Sequence, residues 1–170
     1  MKFLNVLALT LSVLVTTNLY AQEKAPTAPN GIELPKGYQD WRVISSSHRT
    51  DHHSLRVILG NDIAIKAARE EKTNPWPEGT ILAKMVWKEG ELESWNNAIV
   101  PEDFVHAEFM IKDSTKYNKT GGWGFARWIG LDHKPFGDDE NFVQGCFGCH
   151  TLTKNNDWVF TIPSKFPKTR

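Results

Sequence analysis

Apolar and β-branched residues are concentrated in four stretches bounded by turn residues, a pattern that predicts β-strands. In the third, Val105, Ala107, Phe109 and Ile111 alternate with polar residues and would share one face. We therefore expect an α+β fold, mainly an antiparallel β-sheet with peripheral helices. The four stretches are 54–59, 80–88, 104–112 and 123–129.

Helical spacing is found in two further stretches. Residues 63–68 repeat apolar side chains at this spacing, and Asn61 or Asp62 can cap the helix. A second helix is expected at 139–149, where it would carry both cysteines. The stretch around Trp41 stays open between a short helix and an extended segment.

Residues 1–21 have the pattern of a secretory signal peptide. Lys2 precedes an apolar run, and Ala21 is a small residue suited to cleavage. The run is short for a membrane span, so a periplasmic protein without membrane attachment is expected. Residues 22–30 are polar with two prolines and predict a flexible leader, which leaves 31–170 as one domain.

The composition excludes two classes of protein. Twenty basic side chains balance twenty acidic ones, so no charge excess favours nucleic acid. The two cysteines, Cys146 and Cys149, are too few for a disulfide scaffold and must be explained together.

The segment Cys146-Phe147-Gly148-Cys149-His150 is the C-x-x-C-H haem attachment motif. Two thiols one helical turn apart can reach the two vinyl groups of a haem, and the next histidine can ligate the iron. The motif therefore predicts one covalent haem (heme c) with His150 as the metal ligand.

A zinc site and a thioredoxin-like redox pair fit the motif less well. A zinc site needs two more ligands, but His106 and His133 are isolated in the sequence. A thioredoxin-like pair belongs near the start of a βαβ unit, not near the end of a chain. For a sixth iron ligand, Met85 and Met110 lie in predicted strands where core packing is commoner, so we expect an open distal position.

Several segments in a fixed order extend the pattern beyond the haem motif. These are 34–38 with Trp41, 55–57, 79–84, 111–114, 123–125, 146–150 and 157–161. In this order the chain resembles the cytochrome P-460 family, periplasmic c-type cytochromes that oxidise hydroxylamine. The resemblance implies an enzyme of the hydroxylamine oxidoreductase type that passes electrons to an acceptor cytochrome, and a homodimer.

The resemblance also implies roles for individual residues. Lys84 matches a lysine that is covalently bonded to a haem meso carbon. Because Lys84 leaves an apolar strand, its amine could be neutral and nucleophilic. The alternative is a lysine whose side chain extends to solvent. Arg56 matches a distal arginine for a polar ligand or a propionate, with a surface ion pair as the alternative. Glu140 is a candidate base for hydroxylamine, although acidic residues there commonly cap a helix.

Phe136 and Phe142 keep a second function open. The related cytochromes c-prime-beta use a phenylalanine-lined pocket to bind nitric oxide or carbon monoxide without turning over hydroxylamine. Lys84 favours the enzyme, and the lack of a clear distal base favours the gas binder. A plain electron-transfer cytochrome with a strong sixth ligand is the third possibility.

Overall fold

The computed structural model describes residues 25–167, so the predicted signal peptide lies outside the described part of the chain. Within these residues, six antiparallel strands form one sheet in sequence order, which confirms the predicted fold class. The strands are β1 Arg42–Arg49, β2 Ser54–Gly60, β3 Ile81–Leu92, β4 Trp95–Lys112, β5 Trp123–Ile129 and β6 Lys134–Pro135.

Short helices precede, connect and follow the strands. The α-helices are α1 Asp62–Arg69 and α2 Val143–His150, and 3-10 helices span Tyr38–Asp40, Asn118–Thr120, Glu140–Phe142 and Thr151–Asn156. Asn61 caps α1 by accepting a hydrogen bond from the amide of Ala64 at 3.0 Å, as predicted. Ile63, the first apolar residue of the predicted helix, is exposed. Within residues 25–167, no helix is long and apolar enough to cross a bilayer.

The sheet separates two hydrophobic cores. One lies between the sheet and the N-terminal segment and contains Met85, Phe109 and Trp128. The other lies under α1 and α2, where Trp123 and Phe125 are buried. Since successive strand residues point to opposite faces, each central strand contributes to both cores. The helices thus cover the face that carries Leu82, Lys84 and Val86 of β3 and His106, Glu108 and Met110 of β4.

The prediction of a flexible leader at 22–30 is wrong for residues 25–30, which the structure describes. Ala28 is buried, the indole of Trp128 donates to the carbonyl of Pro26 at 2.8 Å, and the side-chain amide of Asn30 donates to the carbonyl of Phe125 at 2.8 Å. These long-range contacts make the segment a cover for the first core. Polar composition could not reveal them, because the partners lie about a hundred residues away in the chain.

The edges of the sheet also differ from the predicted strands. The stretch after Trp41 becomes β1, an edge strand in which only Ile44 is buried, so the sequence has no clear alternation there. Leu92 pairs with Trp95 at a two-residue turn, and the β3–β4 hairpin extends beyond the predicted ends at 88 and 104. The added residues are mostly polar and show no hydrophobic pattern.

Candidate functional site

Three central strands place a row of charged side chains on the sheet face covered by the helices. Lys84 of β3 pairs directly with Glu108 of β4, which pairs with Arg127 of β5. Directly opposed residues of antiparallel strands project to the same side. Arg56 and His106 lie on that face one row further along. We call Arg56, Lys84, His106, Glu108 and Arg127 the polar cluster.

Glu108 is the centre of the polar cluster. One carboxylate oxygen forms an ion pair with the Nζ of Lys84, and the other with the guanidinium of Arg127. The side chain is 18% exposed, so burial alone would raise the pKa of Glu108, but the charges of Lys84 and Arg127 outweigh burial and hold its pKa below the usual value. Glu108 is therefore ionised at neutral pH.

His106 is the neutral member of the polar cluster. Its Nε2 lies 3.4 Å from a carboxylate oxygen of Glu108, yet burial lowers its pKa to about 4, and the positive charges of Arg127 and Lys84 act in the same direction. At neutral pH, His106 can thus donate one hydrogen bond and accept another without adding a positive charge to the polar cluster. This histidine is isolated in the sequence, but the sheet brings it beside a carboxylate.

Two arginines of the polar cluster have unused hydrogen-bonding capacity. The Nε atoms of Arg56 and Arg127 are buried and have no partner among the described residues. Burial, followed by the charge of Arg49, lowers the pKa of Arg56. A buried donor without an acceptor costs stability, so both groups are suited to an anionic ligand.

Helix α2 packs on β5 and presents the haem motif to this face. Cys146 is half-buried against the second core and Cys149 is exposed, and their spacing of three residues places both thiols on one side of the helix. Burial raises the pKa of the Cys146 thiol, and Arg127 acts against that rise. The thiol and the polar cluster therefore lie within electrostatic range of each other.

His150, the last residue of α2, has one ring nitrogen engaged. Its Nδ1 donates to the backbone carbonyl of Trp158 at 2.6 Å, and its ring packs against Phe125 and Phe160 with centroid distances of 5.0 and 5.1 Å. Burial lowers the pKa of His150, which favours the neutral ring. With the proton on Nδ1, Nε2 keeps the lone pair that a metal ligand needs.

These residues fit a haem. The two thiols can form thioethers. Among residues 25–167, Nε2 of His150 and the Nε donors of Arg56 and Arg127 have no partner, so the histidine can ligate iron and the guanidinium groups match the charge of propionates. The positive side chains of the polar cluster outnumber its one carboxylate, so an anionic group would be stabilised there.

The other candidate residues are more scattered. Glu140 is exposed in its 3-10 helix and, among the described residues, forms no ion pair with the polar cluster. Phe136 and Phe142 pack edge to face at 6.0 Å, and the guanidinium of Arg127 lies 4.5 Å from the ring centre of Phe136. Met85 packs in the first core, whereas Met110 packs against the second.

Glu108 and Arg127 are the site residues that sequence reasoning missed. The alternation of β4 put Val105, Ala107 and Phe109 on one face, and Glu108 therefore on the other. A charged residue in the middle of a predicted strand was thus the available signal. The pairing of strands, which the sequence pattern leaves open, was needed to bring Glu108 to Lys84.

Comparison with known proteins supports the haem interpretation. No curated protein matches the chain. The model of the cytochrome P460 family, however, matches residues 35–161, which include the strands of the polar cluster and the cysteine helix. Membership implies haem binding, in agreement with the fit of the site. Because the match covers well over half of its length, the chain belongs to the cytochrome P460 family.

Proposed function

We propose that this protein is an exported single-haem c-type cytochrome that oxidises hydroxylamine. In the proposal, Cys146 and Cys149 hold the haem through thioethers and His150 ligates the iron. The observation that carries the reaction is the ionised carboxylate of Glu108 on the same covered face as the cysteine helix. A carboxylate there can take a proton from a bound substrate.

The haem, when bound, supplies an iron that holds a small nitrogen ligand and takes up its electrons. Glu108 accepts a proton from the substrate, and the charge of Arg127 favours the ionised form of that carboxylate. His106 is neutral and lies next to Glu108 in the adjacent row of the sheet, so it can take the proton on from Glu108. Arg56 and Arg127 hold the propionates, and Glu140 remains a second candidate base at the start of the helical segment.

Lys84 is proposed to form a bond to the haem, as the family resemblance implies. Its neighbour Glu108 is the acceptor for the proton that the ammonium must lose before the amine can react. The nitrogen then exchanges one N–H hydrogen for a bond to a meso carbon, which loses its own hydrogen. This exchange removes two electrons, and a peroxide is the class of oxidant that takes them up, with water as its product.

A periplasmic location and an acceptor cytochrome belong to the proposal as well. The pattern of residues 1–21 supports export, and hydroxylamine oxidation requires an acceptor that takes the electrons away, a role that the family resemblance gives to a cytochrome. Association as a homodimer is part of the same proposal, on the family resemblance alone.

Binding of nitric oxide or carbon monoxide without turnover is the alternative function. The aromatic pair Phe136 and Phe142, which borders the polar cluster through Arg127, favours it because an apolar wall suits a diatomic gas. A proton acceptor contributes only to hydroxylamine oxidation, because binding of nitric oxide or carbon monoxide releases no proton.

Hydroxylamine-dependent reduction of an electron-accepting dye by the haem-loaded protein tests the proposal. Turnover that saturates with hydroxylamine supports the enzyme. Tight nitric oxide binding without turnover would replace it by the alternative. The control is the double variant Cys146→Ser/Cys149→Ser, which cannot attach the haem. It measures how much dye hydroxylamine reduces when no haem is attached.

A further inference from the structure

A buried ion pair lies behind the peptide that contacts His150. The Nζ of Lys112 is 2.7 and 2.9 Å from the two carboxylate oxygens of Asp157, and both side chains are only 5% exposed. Neither residue belongs to the polar cluster. Because burying two charges costs free energy, such a pair calls for an explanation beyond stability.

Further hydrogen bonds hold Asp157 in place. Its carboxylate also accepts the backbone amide of Trp76 at 2.9 Å, and its own carbonyl accepts the indole of Trp123 at 2.8 Å. Lys112 lies over the ring of Trp123 at 5.0 Å. Hydrogen bonds therefore hold both the side chain and the main chain of Asp157.

The backbone that follows is in an uncommon conformation. Asp157 and Trp158 have φ angles of 49° and 58°, the left-handed region that bulky residues rarely adopt. The indole of Trp158 packs against Gly121, where a Cβ would lie 2.6 Å from the ring. Two consecutive left-handed residues need a surrounding structure that keeps them there, and the Lys112–Asp157 pair is part of it.

This conformation turns the carbonyl of Trp158 towards the Nδ1 of His150. We propose that Lys112 and Asp157 are positioning residues that aim this carbonyl and so set the tautomer and donor strength of His150. A well-aligned acceptor at Nδ1 makes the other ring nitrogen a stronger metal ligand. The inference rests on the proposed role of His150 as the iron ligand.

The test compares haem-loaded wild-type protein with the variant Lys112→Met/Asp157→Asn. This variant removes both charges together and keeps an oxygen that can accept the Trp76 amide. We expect a lower iron–histidine stretching frequency in the ferrous protein and a more positive midpoint potential. Lys88→Met is the matched control, since Lys88 pairs with Asp103 at 3.2 Å on an exposed surface.

If the Lys112→Met/Asp157→Asn variant does not fold, Lys112→Gln/Asp157→Asn also removes both charges but leaves two amides that can hydrogen-bond each other; the same shifts are expected, but smaller. If either folded variant matches the Lys88→Met control in both frequency and potential while losing only stability, the pair is structural and the inference is overturned. The mass of the denatured protein separates this result from a failure of the proposed function, which would leave no haem on the chain.

Discussion

Lys84 and Glu108 face each other across β3 and β4 and form an ion pair on the covered face of the sheet. The sequence alone suggested a lysine leaving an apolar strand. The carboxylate opposite gives the amine a direct proton acceptor, and the two roles proposed for these residues, cross-link and base, therefore depend on each other.

Removing the carboxylate of Glu108 should reduce hydroxylamine turnover. We expect Glu108→Gln to lower kcat by about 10²- to 10⁴-fold, the usual contribution of a general base. Because Arg127 still faces Glu108 after Lys84 has bonded to the haem, Glu108 should be the ionised base at neutral pH, and wild-type turnover should be lost when acid pH protonates it. Stopped assays across pH measure both effects.

Two further variants locate the base. Glu91→Gln, on the exposed part of the same hairpin, should leave turnover unchanged. Glu140→Gln should have little effect if Glu108 is the base. A large loss in Glu140→Gln with none in Glu108→Gln would assign the base to Glu140 instead.

Replacing Lys84 should separate haem attachment from the cross-link. Lys84→Met keeps both thioether cysteines, so the haem adduct should remain on the denatured chain. The ferrous absorption spectrum should lose the strong red shift that the cross-link is expected to cause. An unchanged spectrum would show that no such bond involves this lysine.

The effect of Arg56 on stability should change sign when haem is attached. Without haem, Arg56→Met removes a partly buried charge with an unpartnered Nε and should not lower the free energy of unfolding. With haem, loss of a propionate contact should lower it by about 1.5–3 kcal/mol. Urea unfolding of both forms measures this; equal effects in the two forms would argue against the contact.

His106 should make the protein without haem less stable at acid pH. Its folded pKa of about 4 lies below the unfolded value of 6.5, so the unfolded chain binds a proton first and stability falls as pH drops from 6.5 to 4. The loss attributable to His106 is about 3 kcal/mol at most. In His106→Gln, urea unfolding should show a correspondingly smaller fall, and an unaltered pH profile would exclude this role.

More of the fold than of the site could be predicted from the sequence. The apolar residues of β3 to β5 and the C-x-x-C-H motif are local signals, so the antiparallel sheet and the helix with Cys146 followed from the sequence. Glu108, Asp157 and the burial of Ala28 depend on contacts between distant segments. Their energies arise from strand register and tertiary packing, which local patterns do not encode.

Covalent binding of a haem by Cys146 and Cys149, beside Lys84, is the central claim. The most direct measurement is the mass of the denatured protein after export in cells with a haem-attachment system, with the ferrous spectrum of the same sample. We predict one haem added to the chain and a red-shifted ferrous Soret band. A chain of unmodified mass under conditions where another c-type cytochrome matures would contradict the claim.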